Sequence, residues 1–142
     1  MQDPNCPFCK IVSGEIPSKK VYEDESFLAF LDINPANAGH TLIIPKQHYQ
    51  TIISIPEDDL FGLMKVIKRL ASAVRETMVA EGLNIHQSNG TVAGQIIPHL
   101  HFHLIPRFKD DGFGFGWPHK QLPDEEMEVT RKKLAEKMDY RG

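Results

Sequence analysis

The stretch His99-Leu100-His101-Phe102-His103-Leu104-Ile105 has a histidine at every second position, with apolar residues between. Successive side chains of a β-strand point to opposite faces, so this alternation predicts a strand over 99–106 with all three imidazoles on one face. Leu100, Phe102 and Leu104 form the other face and are expected to pack into the core. Neighbouring histidines would lie about 6.5–7 Å apart, since the rise is about 3.3 Å per residue.

Three interpretations of the histidine face follow from the pattern. Imidazole nitrogens need polar partners, so three in a row are unsuited to an apolar core. The face is an exposed surface that happens to be rich in histidine, a metal site, or a phosphoryl-transfer site in which imidazole attacks phosphorus. A metal site through all three rings is geometrically awkward, because a flat strand does not bring the nitrogens to within about 2.1 Å of one ion. Metal binding and phosphoryl chemistry therefore both remain open on the pattern alone.

Further strands are predicted on both sides of this stretch in the chain. Residues 20–32 favour two short strands around an acidic turn, and residues 41–44 form a short apolar run that favours a buried strand. Residues 83–88 favour another strand, joined to the histidine strand by a segment that contains glycines. Together these segments predict an antiparallel sheet of about five strands.

Helices are predicted at two places. Residues 57–81 repeat apolar side chains every three or four positions, which predicts one long helix that Gly82 ends. Pro123 and the acids after it predict a C-terminal helix that extends to about residue 139. The fold class expected from these elements is α+β, with the long helix packed across the antiparallel sheet.

Composition limits the domain organisation and the classes of partner. A chain of 142 residues fits a single domain, 1–142, and its formal net charge of −3 argues against long nucleic acids as partners. No apolar run is long enough to span a membrane, and the N-terminus does not resemble a signal peptide. Two cysteines, Cys6 and Cys9, are too few for a disulfide framework, so we expect a reducing cytoplasmic setting.

Several spaced motifs resemble those of the histidine-triad (HIT) family of nucleotide hydrolases and transferases. The run 99–105 matches the family signature, and further blocks follow the family order: Cys6-Pro7-Phe8-Cys9-Lys10-Ile11-Val12, Asp32-Ile33-Asn34-Pro35, Gly39-His40-Thr41-Leu42-Ile43-Ile44-Pro45-Lys46 and Ala93-Gly94-Gln95. The resemblance covers a core of about 6–108 and leaves 109–142 as a C-terminal extension. It is strongest to the Hint-like branch with an N-terminal Cys-x-x-Cys.

The resemblance implies three catalytic histidines. His101 would attack the α-phosphorus and form a nucleotidyl-histidine intermediate that water then hydrolyses. His103 and His40 would donate hydrogen bonds to the phosphate oxygens. Imidazole attacks only when neutral, and an ordinary pKa of about 6.5 leaves much of it neutral near pH 7. A carbonyl that accepts from the far nitrogen would set the tautomer of the nucleophile.

The resemblance also implies residues that bind the substrate. Asp32 would accept the ribose hydroxyls, Phe30 and Ile33 would line the base pocket, and Gln95 and the backbone of Gly94 would hold the phosphate or the bridging atom. Two positions depart from many relatives, namely Ile96, where serine or threonine is common, and Ser88, where asparagine is common near the scissile phosphate. Loss of a charge-assisted hydrogen bond costs roughly 1.5–3 kcal/mol, so the rate or leaving-group preference is expected to differ.

The pair Cys6 and Cys9 has three interpretations when taken alone: a redox dithiol, half of a zinc site, or two buried thiols. In the Cys-x-x-Cys branch of the family, His48 and His99 correspond to the two histidines that complete a structural zinc site. Two sulfur and two nitrogen ligands form the closed set of such a site. The resemblance therefore implies one structural zinc per chain and assigns His99 to the metal.

The function expected from the resemblance is hydrolysis of a purine nucleoside phosphoramidate or a related mononucleotide anhydride. One alternative is a dinucleoside polyphosphate hydrolase, and another is a nucleotide-binding interaction module with little turnover. Relatives are usually homodimers in which C-terminal residues approach the partner's active site, so a homodimer is expected. Three aromatic residues of the extension are candidates for core or dimer packing, and one of them for that contact: Phe113, Phe115 and Trp117.

Overall fold

The computed structural model describes residues 2–114 and 116–141. Three helices are present: α1 at Pro7–Val12, α2 at Glu57–Met78 and α3 at Asp124–Lys137. Five strands accompany them: β1 at Lys20–Glu23, β2 at Phe27–Leu31, β3 at Thr41–Pro45, β4 at Gly82–His86 and β5 at Phe102–Arg107. A short 3₁₀ turn at Thr91–Ala93 lies between β4 and β5.

The five strands form one antiparallel sheet in the order β1-β2-β3-β5-β4. The predicted α+β class, with one long helix and a C-terminal helix, is confirmed. β5 lies between β3 and β4, and in this register His103 is the partner of Leu42 on one side and of His86 on the other. The second half of the histidine run therefore lies deep within the sheet.

The histidine strand begins later than the sequence suggests. β5 starts at Phe102, whereas a strand over 99–106 was expected, and β4 likewise ends at His86 and not at residue 88. The amide of His99 donates to the carbonyl of Ile97 over 2.8 Å, and the amide of Leu100 donates to Tyr49 over 2.7 Å. These bonds direct the backbone before Phe102 away from the neighbouring strands and towards the segment after β3.

The predicted division of the run between two faces is confirmed despite this shift. Leu100, Phe102 and Leu104 are buried in the cluster that packs beneath α2. The face of α2 towards the sheet consists of five buried residues: Leu63, Val66, Ile67, Leu70 and Val74. Apolar spacing of three and four places these side chains in one stripe of the helix.

α2 ends three residues earlier than predicted. Val79 has left-handed backbone angles (φ 52°), and the amide of Ala80 donates to the carbonyl of Arg75 over 2.9 Å in a Schellman-type closure. Gly82, which was expected to end the helix, is instead the first residue of β4. A left-handed valine is uncommon, so the prediction placed the end of the helix at the glycine and not at Val79.

The other face of the sheet is covered by the N-terminal segment. α1 contributes to a second core cluster on that face, which contains Cys6, Phe8 and Cys9 together with four residues of β2 and β3: Leu28, Phe30, Leu42 and Ile44. A proline in the first turn suits the start of so short a helix. The N-terminal motif therefore lies against the face that carries the histidines.

The described residues of the C-terminal extension after Gly114 are mostly exposed. None of the described residues of α3 is buried, and Trp117 has 71% of its surface exposed. Phe113 packs against the guanidinium of Arg107, whereas Phe115 lies outside the described residues. No helix in the described ranges combines the length and apolar character needed to cross a bilayer.

Candidate active site and metal centre

A cavity of about 540 Å³ opens on the face of the sheet that carries the histidines. Its walls come from α1, the end of β2, the segment after the 3₁₀ turn and the histidine run. His101 and His103 line it, together with residues from three of these segments: Pro7, Phe8, Ile11, Phe30, Asp32, Ile33, Gly94, Ile96 and Ile97. The cavity therefore joins two histidines to a carboxylate and an apolar wall.

The tautomer of His101 follows from one hydrogen bond. Nδ1 of His101 lies 2.7 Å from the carbonyl oxygen of His99, and a carbonyl can only accept. Nδ1 therefore carries the proton, and Nε2 has the free lone pair. The sequence-based expectation that a carbonyl sets this tautomer is confirmed.

A second pair of contacts determines the tautomers of His40 and His103. The amide of Ala36 donates to Nδ1 of His40 over 3.0 Å, so neutral His40 carries its proton on Nε2. That Nε2 lies 2.9 Å from Nδ1 of His103 and donates to it. His103 must then carry its own proton on Nε2. We call His40, His101 and His103 the histidine cluster.

Burial keeps the histidine cluster neutral. It lowers the pKa of His103 to about 4, with further lowering from the neighbouring His101 and His40. Burial also lowers the pKa of His40 and of His101, and the Asp32 carboxylate only partly opposes this. All three rings are therefore uncharged near pH 7, the form that nucleophilic attack by imidazole requires.

His99 belongs to a different group. Its Nδ1 lies 3.4 Å from Sγ of Cys6, 3.6 Å from Sγ of Cys9 and 3.1 Å from Nδ1 of His48. Nδ1 of His48 is in turn 3.4 Å from Sγ of Cys9. The four ligand atoms lie within 4.8 Å of one another. We call Cys6, Cys9, His48 and His99 the metal cluster.

The donor set of the metal cluster fits a tetrahedral zinc ion. Typical Zn–N and Zn–S bonds separate two nitrogens by about 3.3 Å, and a nitrogen from a sulfur by about 3.5 Å. The separations in the structure agree to within a few tenths of an ångström. Nε2 of His99 donates to the carbonyl of Pro45 over 2.8 Å, which leaves Nδ1 free to ligate. Burial raises the pKa of the Cys6 thiol, so a thiolate there requires a neighbouring cation.

Asp32, His40 and His103 also place donor atoms close together, but their hydrogen bonds oppose metal binding. Nε2 of His40 lies 3.5 Å from the Asp32 carboxylate and 2.9 Å from His103. Because the amide of Ala36 occupies Nδ1, Nε2 of His40 holds a proton and has no lone pair for an ion. The arrangement is that of a hydrogen-bonded relay.

The remaining expected site residues differ in how close they are to the cavity. Phe30 is buried in the wall, while Ile33 is 88% exposed at the rim. Gln95 is buried, and its side-chain amide stabilises the loop around residues 90–97. Its Oε1 accepts from the amide of Gly90, and its Nε2 donates to the carbonyls of Gln50 and Ile97. Gly94 lines the cavity, whereas Gln95 and His40 do not.

Ser88 also lies outside the cavity wall. Its hydroxyl is hydrogen-bonded to Nε2 of His86 over 3.1 Å. A Cβ placed on Gly94 would lie 4.0 Å from this hydroxyl, so Ser88 is close to the loop without lining the cavity with it.

Sequence reasoning missed the role of α1 in the cavity. The ring of Phe8 lies edge-on to His101, with centroids 5.1 Å apart, and also contacts His99 at 5.8 Å. Phe8 stands between the two cysteines of the Cys-x-x-Cys motif, and that position was the available signal. α1 and its N-cap residue Cys6 therefore supply two metal-cluster residues and one wall of the cavity.

Comparison with known proteins identifies the family. The model of the HIT domain matches residues 13–110. An adenosine 5'-monophosphoramidase of Candida albicans is 41% identical over 140 residues, which cover 94% of this chain and 91% of that protein. A crystal structure of a HIT family member from Bacillus subtilis superposes with a TM-score of 0.87 at 40% identity, covering 93% of this chain and 96% of that one.

A third relative bears on the metal cluster. The crystal structure of a zinc-bound histidine triad family protein from Mycobacterium smegmatis is 38% identical, with a TM-score of 0.73, and covers 95% of this chain and 96% of that one. Its overall fold matches the one described above. The extent of these matches, together with the histidine run and its cavity, shows that the chain belongs to the HIT family.

Proposed function

We propose that the protein hydrolyses phosphoramidates or related anhydrides of purine mononucleotides through a covalent intermediate on His101. The observation that carries this proposal is the tautomer of His101. Its Nδ1 proton is held by the His99 carbonyl, so a neutral Nε2 is available in a ring that lines the cavity. The C. albicans relative, an adenosine 5'-monophosphoramidase, supports a phosphoramidate as substrate.

The reaction proceeds in two displacements. Nε2 of His101 forms a bond to the α-phosphorus while the bond from phosphorus to the leaving group breaks, and the leaving group takes a proton from solvent water as it departs. Water then attacks phosphorus, the bond to His101 breaks, and the nucleoside monophosphate leaves as the water releases a proton. The His99 carbonyl, still bonded to Nδ1, stabilises the positive charge that the ring acquires in the first step.

His103 supplies the hydrogen bond to the phosphate. Its Nδ1 accepts from His40, so its Nε2 proton is free to donate to a phosphate oxygen. His40 is buried outside the cavity and acts through His103, which makes it a positioning residue. Neutral donors suit this task because they bind the developing charge without charge repulsion between neighbouring rings.

The nucleoside binds beside these rings. Asp32 accepts the ribose hydroxyls, and Phe30 and Ile33 contact the base, since all three line the same cavity as His101. Gly94 approaches the phosphate through its backbone, and Gln95 holds that loop by its hydrogen bonds to neighbouring backbone groups. Ser88 lies behind the loop that contains Gly94 and contributes to phosphate binding indirectly.

The metal cluster holds one structural zinc. Cys6, Cys9, His48 and His99 are the ligands, and the ion supplies folding energy by joining the N-terminal segment to the residues before β5. The support is the donor geometry given above, together with the zinc-bound relative from M. smegmatis. Zinc–thiolate ligands require reduced cysteines, which suits the cytoplasm.

A homodimer completes the proposed assembly. β4 is the terminal strand of the sheet, so its outer edge lacks a strand partner among the described residues. Ile85 on that strand and Phe61 on α2 are 49% and 61% exposed. Exposed strand edges and apolar side chains are characteristic of surfaces that associate. Trp117, exposed in the extension, is available to reach the partner.

The test compares three proteins on two substrates. The parent, His101→Ala and His119→Ala are incubated with adenosine 5'-phosphoramidate and with a diadenosine polyphosphate, and AMP release is measured. His119 is an exposed histidine of the extension, so its variant controls for loss of an imidazole elsewhere. We expect the parent and His119→Ala to hydrolyse the phosphoramidate at equal rates and His101→Ala to lose activity.

The outcomes separate the candidate functions. Faster turnover of the diadenosine substrate would favour the dinucleoside polyphosphate alternative. AMP binding without hydrolysis of either substrate would favour the nucleotide-binding module, as would a failure to trap a nucleotidyl adduct by mass spectrometry. Equal rates for His101→Ala and the parent would refute the assigned nucleophile.

A further inference from the structure

The loop between β2 and β3 closes around His40. The amide of Asp32 donates to the carbonyl of His40 over 2.9 Å, and the amide of His40 donates to the carbonyl of Asn37 over 3.1 Å. The amide that sets the tautomer of His40 belongs to Ala36 in the same loop. The tautomer therefore depends on the shape of this loop.

The side chain of Asn37 anchors the loop to the rest of the molecule. Its Nδ2 donates to the carbonyl of Pro106 at 2.9 Å and to Oδ2 of Asp111 at 2.9 Å. An amide NH₂ has two protons, so both are used. Pro106 is in β5 and Asp111 follows that strand, so Asn37 connects the loop to the start of the C-terminal extension.

Asp111 is itself held firmly. Arg107 binds its carboxylate with two hydrogen bonds, from Nε to Oδ2 at 2.8 Å and from Nη2 to Oδ1 at 3.0 Å. The amide of Phe108 donates to Oδ2 as well, and Nη1 of Arg107 donates to Oδ1 of Asn84 in β4. Only 8% of the Asp111 side chain is exposed. Bidentate pairs of this kind fix orientation as well as distance.

We propose that Asn37 is a positioning residue for His40 and His103, and that Arg107 and Asp111 hold it in place. The inference rests on the proposed function and adds to it residues that lie outside the cavity. It also connects the first residues of the C-terminal extension to the chemistry of the site. The chain of contacts runs from Arg107 through Asp111 and Asn37 to the loop, and from the loop to His40.

Loss of the Asn37 amide releases this connection. The loop can then shift so that the Ala36 amide leaves Nδ1 of His40, and the proton of His40 is free to occupy either nitrogen. With the proton on Nδ1, His40 no longer donates to His103, and His103 no longer presents its Nε2 proton to the phosphate. Because that contact strengthens in the transition state, we expect an effect on kcat and little on KM.

The experiment compares Asn37→Ala, Asp111→Asn and the control Asp110→Asn with the parent. Asp110 precedes Asp111, is exposed, and has a φ of 60° that asparagine tolerates. The control thus makes the same change of charge one residue away. We expect kcat to fall about tenfold in Asn37→Ala and about threefold in Asp111→Asn, with KM within about twofold of the parent. Asp110→Asn should match the parent.

A spectroscopic readout separates positioning from general damage. Ring ¹⁵N shifts distinguish the two neutral tautomers, and we expect His40 to hold the proton on Nε2 in the parent and a mixture in Asn37→Ala. Unchanged His40 signals would overturn the proposal even if kcat or stability fell. Equal kcat in all four proteins would overturn it also.

The measurement of the ring ¹⁵N shifts does not require the protein to hydrolyse a substrate. If the parent shows no hydrolysis that depends on His101, the proposed function fails, while the His40 signals still decide whether Asn37 positions that ring. Should Asn37→Ala fail to fold, Asp111→Asn alone decides, because it preserves the shape of the side chain. An Asp111→Asn variant with parental kcat and a parental His40 spectrum would then refute the inference.

Discussion

The metal cluster and the histidine cluster meet in one short segment, because His99 belongs to the first and His101 to the second. Both rings give one nitrogen to a backbone carbonyl, but they use opposite nitrogens. His99 donates through Nε2 to Pro45 and leaves Nδ1 free, whereas His101 donates through Nδ1 to His99 and leaves Nε2 free. The difference shows that the backbone partner, and not the residue type, decides which nitrogen is available.

The two clusters also differ in what surrounds the free nitrogen. Nδ1 of His99 faces two thiols and a second imidazole, all close enough to share one ion. His101 faces a cavity large enough for a nucleotide and has an aromatic ring, not a thiol, beside it. Ligand binding and nucleophilic attack thus require the same free lone pair in different surroundings.

The sharpest test of this comparison replaces one histidine of each cluster with alanine. We expect His101→Ala to lower hydrolysis by at least about ten-thousandfold, because the proposed nucleophile is absent, while zinc binding is expected to equal that of the parent. His99→Ala should lose zinc. Activity assays and metal analysis of both variants provide the measurement. A His101→Ala protein without metal would show that the two clusters are not separable.

The next largest effect concerns the thiols. Cys6→Ser combined with Cys9→Ser should reduce zinc from about one ion per chain to none and lower the free energy of unfolding by roughly 5 kcal/mol. Urea unfolding of the variant and of chelator-treated parent measures this. The two should agree, because both lack the ion. A parent protein that contains no metal when purified, and that unfolds with the same free energy as the chelator-treated parent, would contradict the proposed zinc site.

We expect acid to lower the stability of the fold by protonating rings of the histidine cluster, which are neutral near pH 7. The pKa of His103 in the folded protein is about 4, below the ordinary 6.5, so the unfolded chain binds more protons between these values. Stability should therefore be complete above about pH 6.5 and fall as the pH decreases towards 4, by roughly 2 to 3 kcal/mol from this ring.

The measurement is urea unfolding across this pH range. His103→Gln should remove most of the slope that this ring contributes, whereas His119→Gln, which alters an exposed histidine, should leave the slope unchanged. A parent whose stability rises on acidification would mean that the ring gains its proton on folding, contrary to the burial described here.

The smallest effect is expected at the residue that touches both clusters. Phe8 is 5% exposed and lies edge-on to His99 and His101, so Phe8→Leu should lower stability by about 1–1.5 kcal/mol. Tyr140→Leu, which removes an exposed aromatic ring after α3, should change stability by less than about 0.5 kcal/mol. Equal effects in the two variants, measured by urea unfolding, would show that the contacts of Phe8 do not matter.

Local signals predicted the fold well except at the ends of elements. The alternation of the histidine run correctly assigned Leu100 to the core, although β5 begins only at Phe102. The helix over 57–81 was correct in position, but it ends at Met78, and the left-handed residue that follows is Val79 and not a glycine. The first error arises where the bond from Leu100 to the distant Tyr49 overrides a local preference, and the second where Gly82 pairs with Arg107 in the sheet instead of ending the helix.

The structure brings most of the predicted site residues to one region, but their arrangement there was not predicted. His101 and His103 line one cavity as expected, while His40 and Gln95 lie outside its lining and form hydrogen bonds to neighbouring groups. Nothing in the sequence near His40 indicates that its proton is directed to His103, because the amide that decides this comes from a folded loop. The role of Asn37 was likewise not visible, since its partners are 69 and 74 residues away.

The sequence by itself determined which chemistry is available: an alternating trio of imidazoles with an apolar opposite face, a Cys-x-x-Cys motif, and a family pattern that joins them. Tertiary structure alone decided which nitrogen of each ring is free. The physical reason is that an imidazole has two nearly equivalent nitrogens, and only a hydrogen bond from a fixed neighbour distinguishes them. For His99 that neighbour is Pro45, 54 residues away, and such a pairing exists only once the sheet has formed.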